Sequence, residues 1–241
     1  MQTNRIVTFP EWEINVSDEG RQKINAVRSE CQKNQNVNAL FLQGSALRGE
    51  GGVRSDIDFI ILFDSVSEKV HDFVRKLFAE FSDTDYFYSS IREYQSYPVG
   101  LRFQFFLSQQ IYGEPEILGQ PPTSQDLSQV LAYYSSSLKD QLRPLIFRND
   151  LSDIELFNRA YSLLKRVDDC IIRVQDAIQT GIYPKQRALI QTEPNQDGQH
   201  LLELLDKWQS QGHQPDSQEI RQSVSTIDTF LREFIEKHLN T

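Results

Sequence analysis

Cysteine is scarce in this chain, with two in 241 residues. Cys31 and Cys170 stand far apart in helical-looking segments, which excludes a disulfide framework and a cysteine-rich zinc site and fits a reducing compartment. The four histidines show no metal-ligand spacing. No apolar run approaches the roughly 20 residues of a membrane span, and the opening MQTNRIVTFPEWE lacks the apolar stretch of a signal peptide. A cytoplasmic protein with no membrane partner is therefore expected. Basic residues are in deficit too: 25 Lys and Arg against 34 Asp and Glu give a net charge of −9, divided about equally between the two halves. Tight binding along a phosphate backbone needs a basic face, so no long nucleic acid is expected as partner. Neither G-x-x-x-x-G-K-[ST] nor G-x-G-x-x-G occurs, which excludes a P-loop and a dinucleotide fingerprint. Internal repeats and low-complexity tracts are missing as well.

What is present is ordinary globular composition, 39% hydrophobic and 24% charged, in a chain long enough for one large domain or two small ones. Hydrophobic periodicity predicts a helix over 18–34, a buried strand over 37–42, a second strand over 56–63 and an amphipathic helix over 67–81. Aromatic and β-branched runs at 84–91 and 99–107 read as a strand pair. Near GEPEILGQPP (113–122) proline and glycine mark a boundary, and everything beyond reads as helix. Over 152–180, Ser152 and Glu155 form a capping box. Ile154, Phe157, Tyr161, Leu164, Val167, Ile171, Val174 and Ile178 make one stripe, and Gly181 sits at the C-terminal cap position. Further helices fit 124–142, 199–209 and 217–239. The expected class is α+β: a small mixed-sheet domain over 1–118, then an all-α helical bundle over 119–241.

The chemistry concentrates in GSALRGEGGVRSDID, residues 44–58, flanked by ALFL and FIIL. A helix starting just after Gly44 would present unpaired N–H groups and the positive end of its dipole. Gly44 lets a phosphate approach the main chain, and the Ser45 hydroxyl adds a donor. Gly49, Gly51 and Gly52 give a pliable loop from which Arg48 and Arg54 can reach an anion. Asp56 and Asp58, two apart on a strand, project from one face about 6.5–7 Å apart. Like charges at that spacing favour a bridging cation, and hard oxygens suit Mg²⁺ with substrate phosphates completing its shell. The combination reads as a phosphate cradle beside a metal clamp.

An apolar strand, Gly-Ser, a spacer, Asp-x-Asp and another apolar strand resemble the polymerase-β-type nucleotidyltransferase superfamily. Within it, the chain is similar to the branch that adenylylates aminoglycosides and lincosamides and carries a C-terminal helical domain. The resemblance implies transfer of AMP from ATP to a hydroxyl of a small, aminoglycoside-like acceptor, with release of pyrophosphate. It implies one or two Mg²⁺ ions on Asp56 and Asp58, with the β- and γ-phosphates at Gly44 and Ser45 and further contacts from Arg54 or Arg48. In the helical region the YPK segment of GIYPKQRALI would bring Lys185 to phosphate and Tyr183 to the base or acceptor, the helical domain acting as the acceptor-binding part. Glu114 and Glu116 in YGEPEIL would face a cationic acceptor or form a plain hinge. A homodimer is compatible with this reading.

The pattern breaks at one place. The family places a third carboxylate on a later strand, and VGLRFQFFL (99–107), read as that strand, offers Arg102 and Gln104 and no acid. Asp85 or Glu93 from the preceding strand, or Asp168 on the buried stripe of its helix, are the candidate replacements. With no replacement the protein would be a catalytically weak nucleotide-binding or regulatory module. Arg232 and His238, six apart near the end, also resemble the pair of HEPN-type ribonucleases, which would make the chain part of a toxin–antitoxin system.

Overall fold

The protein was analysed as a computed structural model, which describes residues 4–44, 47, 57–79, 81, 84–147, 150–209, 213 and 215–238, with the backbone alone at Leu101, Pro115, Glu116 and His238. It divides into two compact units, one of Glu11–Pro121 and one that joins Met1–Pro10 to Pro122–Thr241.

The first unit is α+β. Helix α1 (Asp18–Lys33) starts where the Ser17 hydroxyl accepts from the Gly20 N–H, and it carries Asp18 and Glu19 at its positive end. Strands β1 (Val37–Gln43) and β2 (Ile57–Phe63) follow, then α2 (Glu68–Phe78), β3 (Thr84–Ser90), α3 (Ile91–Ser96), α4 (Val99–Phe106) and β4 (Gln109–Gly113). The described strands form one sheet in the order β3–β2–β1–β4. β1 runs antiparallel to β2 and β4, and β2 parallel to β3. Both faces of its centre are covered, which is why β1 and β2 are near-continuous apolar runs. Phe59 and Phe63 meet Phe78 and Phe73 of α2 on one face. Ala39, Phe41, Ile60 and Leu62 pack with Tyr94 of α3 and Phe105 of α4 on the other. Glycine is required at Gly113, where φ is +103° and a Cβ would stand 2.0 Å from the Asn38 carbonyl oxygen.

One expected element is different. VGLRFQFFL is helix α4, not the partner of β3, and the fourth strand is the more polar QQIYG that follows. Its apolar residues at 99, 101, 103, 105 and 107 alternate as in a strand, yet they are also spaced four apart. The short helix takes this second spacing, packs Phe105 against the sheet and buries Phe103 as well.

The second unit is helical: α5 (Ser124–Phe147), α6 (Asp153–Val167), a π-helical turn over Asp168–Ile172, α7 (Arg173–Thr180), α8 (Gln196–Gln209) and α9 (Ser217–His238). The Ser152–Glu155 capping box forms, and Gly181 closes α7 at φ +83°. The stripe read along 152–180 is buried from Tyr161 through Ile178, whereas Ile154 is exposed. The N-terminal segment lies along this unit as a strap. Val7 N–H donates to the Pro122 carbonyl at 3.0 Å and Thr8 N–H to that of Gly181 at 2.9 Å, and Phe9 stacks on Tyr183. Both cysteines are free and buried, and burial, with Glu30 adding to it, pushes the Cys31 thiol up to about 12. Among the described residues no helix is long and apolar enough to cross a membrane.

Candidate active site

β1 ends at Gln43, and the chain turns through Gly44 at φ +108°, a conformation that strains any side chain. Gln43 pairs with Asp58 across the β1–β2 ladder, and Asp58 pairs with Asp85 across the β2–β3 ladder. Ladder partners point to the same face, so Gln43, Asp58 and Asp85 form a row across three strands spaced about 4.8 Å apart. Further along that same face come Phe41, Ile60 and Leu62 of the core, so the row is its polar end. Asp58 is half-buried and Asp85 exposed. The Gln43 amide nitrogen donates to Gln104 Oε1 at 3.2 Å, which brings Gln104 of α4 to the row. Two carboxylates at this spacing repel, and their hard oxygens suit a divalent cation, so the donor set fits Mg²⁺. Asp56, Ser45, Arg48, Gly49, Gly51, Gly52 and Arg54 lie outside the described residues. Among the described residues there is no group of three or more His, Cys, Asp or Glu that can hold a metal.

The other acids named from the sequence are elsewhere. Glu93 follows the far end of β3, where its carboxylate accepts from the Ser90 N–H and hydroxyl and from the Ser89 hydroxyl. The Ser90 backbone bond, more than any other contact, holds its pKa below the ordinary value. It caps α3 at the end of the sheet opposite Asp85. Glu114 lines a groove of about 670 Å³ along the β4 edge with Arg28, Asn38, Gln110 and Tyr112. That groove adjoins the Val37 end of β1, away from the row. The Glu116 side chain lies outside the described residues.

In the helical unit Asp168 is 2% exposed and both its oxygens are engaged. Oδ1 accepts from Arg173 Nε at 3.0 Å, and Oδ2 from Arg173 Nη2 at 2.9 Å and Arg187 Nε at 3.1 Å. The π turn explains the pair. Its i to i+5 hydrogen bonding, with the Arg173 N–H donating to the Asp168 carbonyl, stacks residues five apart. Arg173, itself fully buried, also donates to the carbonyls of Pro184 and Lys185 and so fixes the 183–187 loop. Tyr183 is 1% exposed, with its hydroxyl donating to the Asp169 carbonyl. It is a core residue, and the expected base or acceptor contact has no open surface to use. Lys185 is half-buried on the same loop. Arg232 pairs with Asp228 at 2.6 Å on the exposed side of α9, and the His238 side chain lies outside the described residues.

The family model described as Polymerase beta, Nucleotidyltransferase matches residues 25–116. This segment is a polymerase-β-type nucleotidyltransferase domain. It holds the whole described row from Gln43 to Asp85. The spectinomycin adenyltransferase AAD(9) of Enterococcus faecialis, solved with ATP and spectinomycin, shares the fold. It superposes with a TM-score of 0.56 at 14% identity over 88% of this chain and 99% of its own. A toxin–antitoxin structure with AMP-PNP matches 52% of this chain and 93% of its own at 19% identity, with a TM-score of 0.30, too low to carry an argument. No curated protein matches the chain.

Sequence reasoning about the nucleotidyltransferase domain missed Gln43 as the neighbour of Asp58 and misplaced Gln104 on a strand. The polar Gln43 at the end of an apolar strand was the available signal. The register of β3 against β2 had none, because a helix separates them in the chain.

Proposed function

We propose that the protein is a Mg²⁺-dependent nucleotidyltransferase that moves AMP from ATP to a hydroxyl of a small acceptor. The observation that carries this reading is the register of Asp58 with Asp85 beside the Gly44 turn. Asp58, with Asp56 completing the pair, would hold Mg²⁺, which supplies charge neutralisation on the phosphoryl oxygens. Gly44 and Ser45 receive the β- and γ-phosphates, assisted by Arg54 or Arg48. Asp85, the outermost and exposed carboxylate, accepts the proton of the acceptor hydroxyl. The acceptor oxygen bonds to the α-phosphorus, the bond to the bridging oxygen breaks, and pyrophosphate leaves with that electron pair. Asp85 thereby fills the third-carboxylate role. Asp168 does not enter it, because its oxygens are committed to two guanidinium groups.

The AAD(9) likeness supports ATP as donor and an aminoglycoside-like acceptor, with the helical unit as the acceptor-binding part. Incubation with α-labelled ATP, Mg²⁺ and a panel of aminoglycosides and lincosamides tests the reading. A labelled AMP ester that Asp85→Asn reduces about a hundredfold or more supports it. Nucleotide binding without product across the panel would replace it with a binding-only module.

A further inference from the structure

We propose that Phe87 is a specificity-determining residue for the acceptor, a ledge that takes an apolar ring face of the acceptor while its hydroxyl lies at Asp85. The inference rests on the nucleotidyl-transfer reading above. Sheet order gives the direction of approach. The Gly44 turn belongs to β1, Asp58 to β2 and Asp85 to β3. In-line displacement at the α-phosphorus sets the incoming oxygen opposite the leaving pyrophosphate. With the polyphosphate over β1, the acceptor therefore lies over β3.

Phe87 is what β3 offers there. It pairs with Ile60 in the ladder, so it shares the face of Asp58 and Asp85, two residues and about 6.5–7 Å from Asp85. Its side of the strand is the sheet's edge. Phe87 is 46% exposed, although Phe105 and Tyr97 are nearby. Phe105 stands at 80° to its ring and Tyr97 at 54°, each with centroids 6.4 Å away, so neither lies parallel against it. Neighbouring Tyr86 makes the contrast. It is as exposed, at 44%, but lies flat on Phe78 at 4.3 Å, on the opposite face of the sheet. Tyr86 serves as cover for α2, whereas Phe87 sets a half-exposed ring beside an exposed carboxylate. A hydroxylated ring presenting axial C–H groups, or a protonated amine beside such a ring, meets both groups at once.

Two hydroxylated-ring amines, spectinomycin and methyl β-D-glucosaminide, serve as probes in saturation-transfer NMR with Mg²⁺ and the non-hydrolysable AMP-CPP, whose own affinity is followed by calorimetry. The expected result is saturation of the ring C–H protons of at least one probe in the wild type. Phe87→Ala should weaken that probe about tenfold, Phe87→Tyr should retain it, and both should keep the AMP-CPP affinity. Equal probe binding in Phe87→Ala overturns the proposal. So does parallel loss of probe and nucleotide, or a wild type that binds AMP-CPP and neither probe. A wild type that fails to bind AMP-CPP instead removes the nucleotidyl-transfer reading, and calorimetry reports that separately.

Discussion

The two units treat carboxylates in opposite ways. In the helical unit Asp168 is sealed among Arg173 and Arg187, with every oxygen bonded and the guanidinium groups spent on it and on the carbonyls of Pro184 and Lys185. In the nucleotidyltransferase domain Asp58 and Asp85 stand side by side at the open end of a sheet face. A buried charge enclosed by its counter-ions has no capacity left for a ligand, and removing it strands those counter-ions. Adjacent carboxylates do the reverse: a divalent cation offsets their repulsion, and on the proposed reading that is what the row is for. Burial alone would have nominated Asp168 as the catalytic acid, and hydrogen-bond accounting removes it.

The contrast can be broken in several places. The largest effect is expected at the row. Asp58→Asn should lower AMP transfer by about a thousandfold or more while lowering the melting temperature far less than Asp168→Ala does, measured by labelled transfer and calorimetry. A large loss of stability there would place Asp58 with Asp168 instead. Asp168→Ala should do the opposite. It takes the nearest carboxylate from two guanidinium groups and should cost the helical unit about 3 kcal/mol in denaturant unfolding. Gly113→Ala should cost roughly 1–3 kcal/mol by forcing β4 away from the Asn38 carbonyl, a strain that the helical unit should not register.

The smallest effect concerns Glu219. Burial raises its pKa, but hydrogen bonds from His213, Lys207 and the Trp208 ring outweigh that and bring it down to about 2. A folded-state pKa below the unfolded value gives stability that is present above about pH 4.5 and lost as the pH falls toward 2. Glu219→Gln should flatten the acid limb of the helical unit's stability profile, and an unchanged limb would contradict the assignment.

Much of this was legible beforehand. The strands around ALFL and FIIL, the Ser152–Glu155 box and the Gly181 cap follow from short-range signals, and the structure places them within a residue or two of the expected bounds. Long-range relations were not legible. The alternation in 99–107 satisfied two periods at once, and only packing against Phe41 and Tyr94 selects the helix. Asp85 lies 27 residues from Asp58, and nothing local fixes the register that joins them. α-Helical spacing alone puts Asp168 on the apolar stripe, whereas its partner Arg173 is five residues on, a π-helical separation. Tyr183 and Lys185 read alike as loop residues, yet the strap at Thr8 and Phe9 buries the tyrosine.

The central claim is that Asp58 belongs to a cation-dependent nucleotide site, with Asp85 beside it as the proton acceptor. Manganese, as a stand-in for Mg²⁺, reports on it directly by electron paramagnetic resonance titration in the presence of AMP-CPP. The account predicts saturable, nucleotide-dependent Mn²⁺ binding in the wild type, weakened at least tenfold in Asp58→Asn and unaffected in Glu93→Gln. Equal Mn²⁺ affinity in the wild type and Asp58→Asn would contradict it.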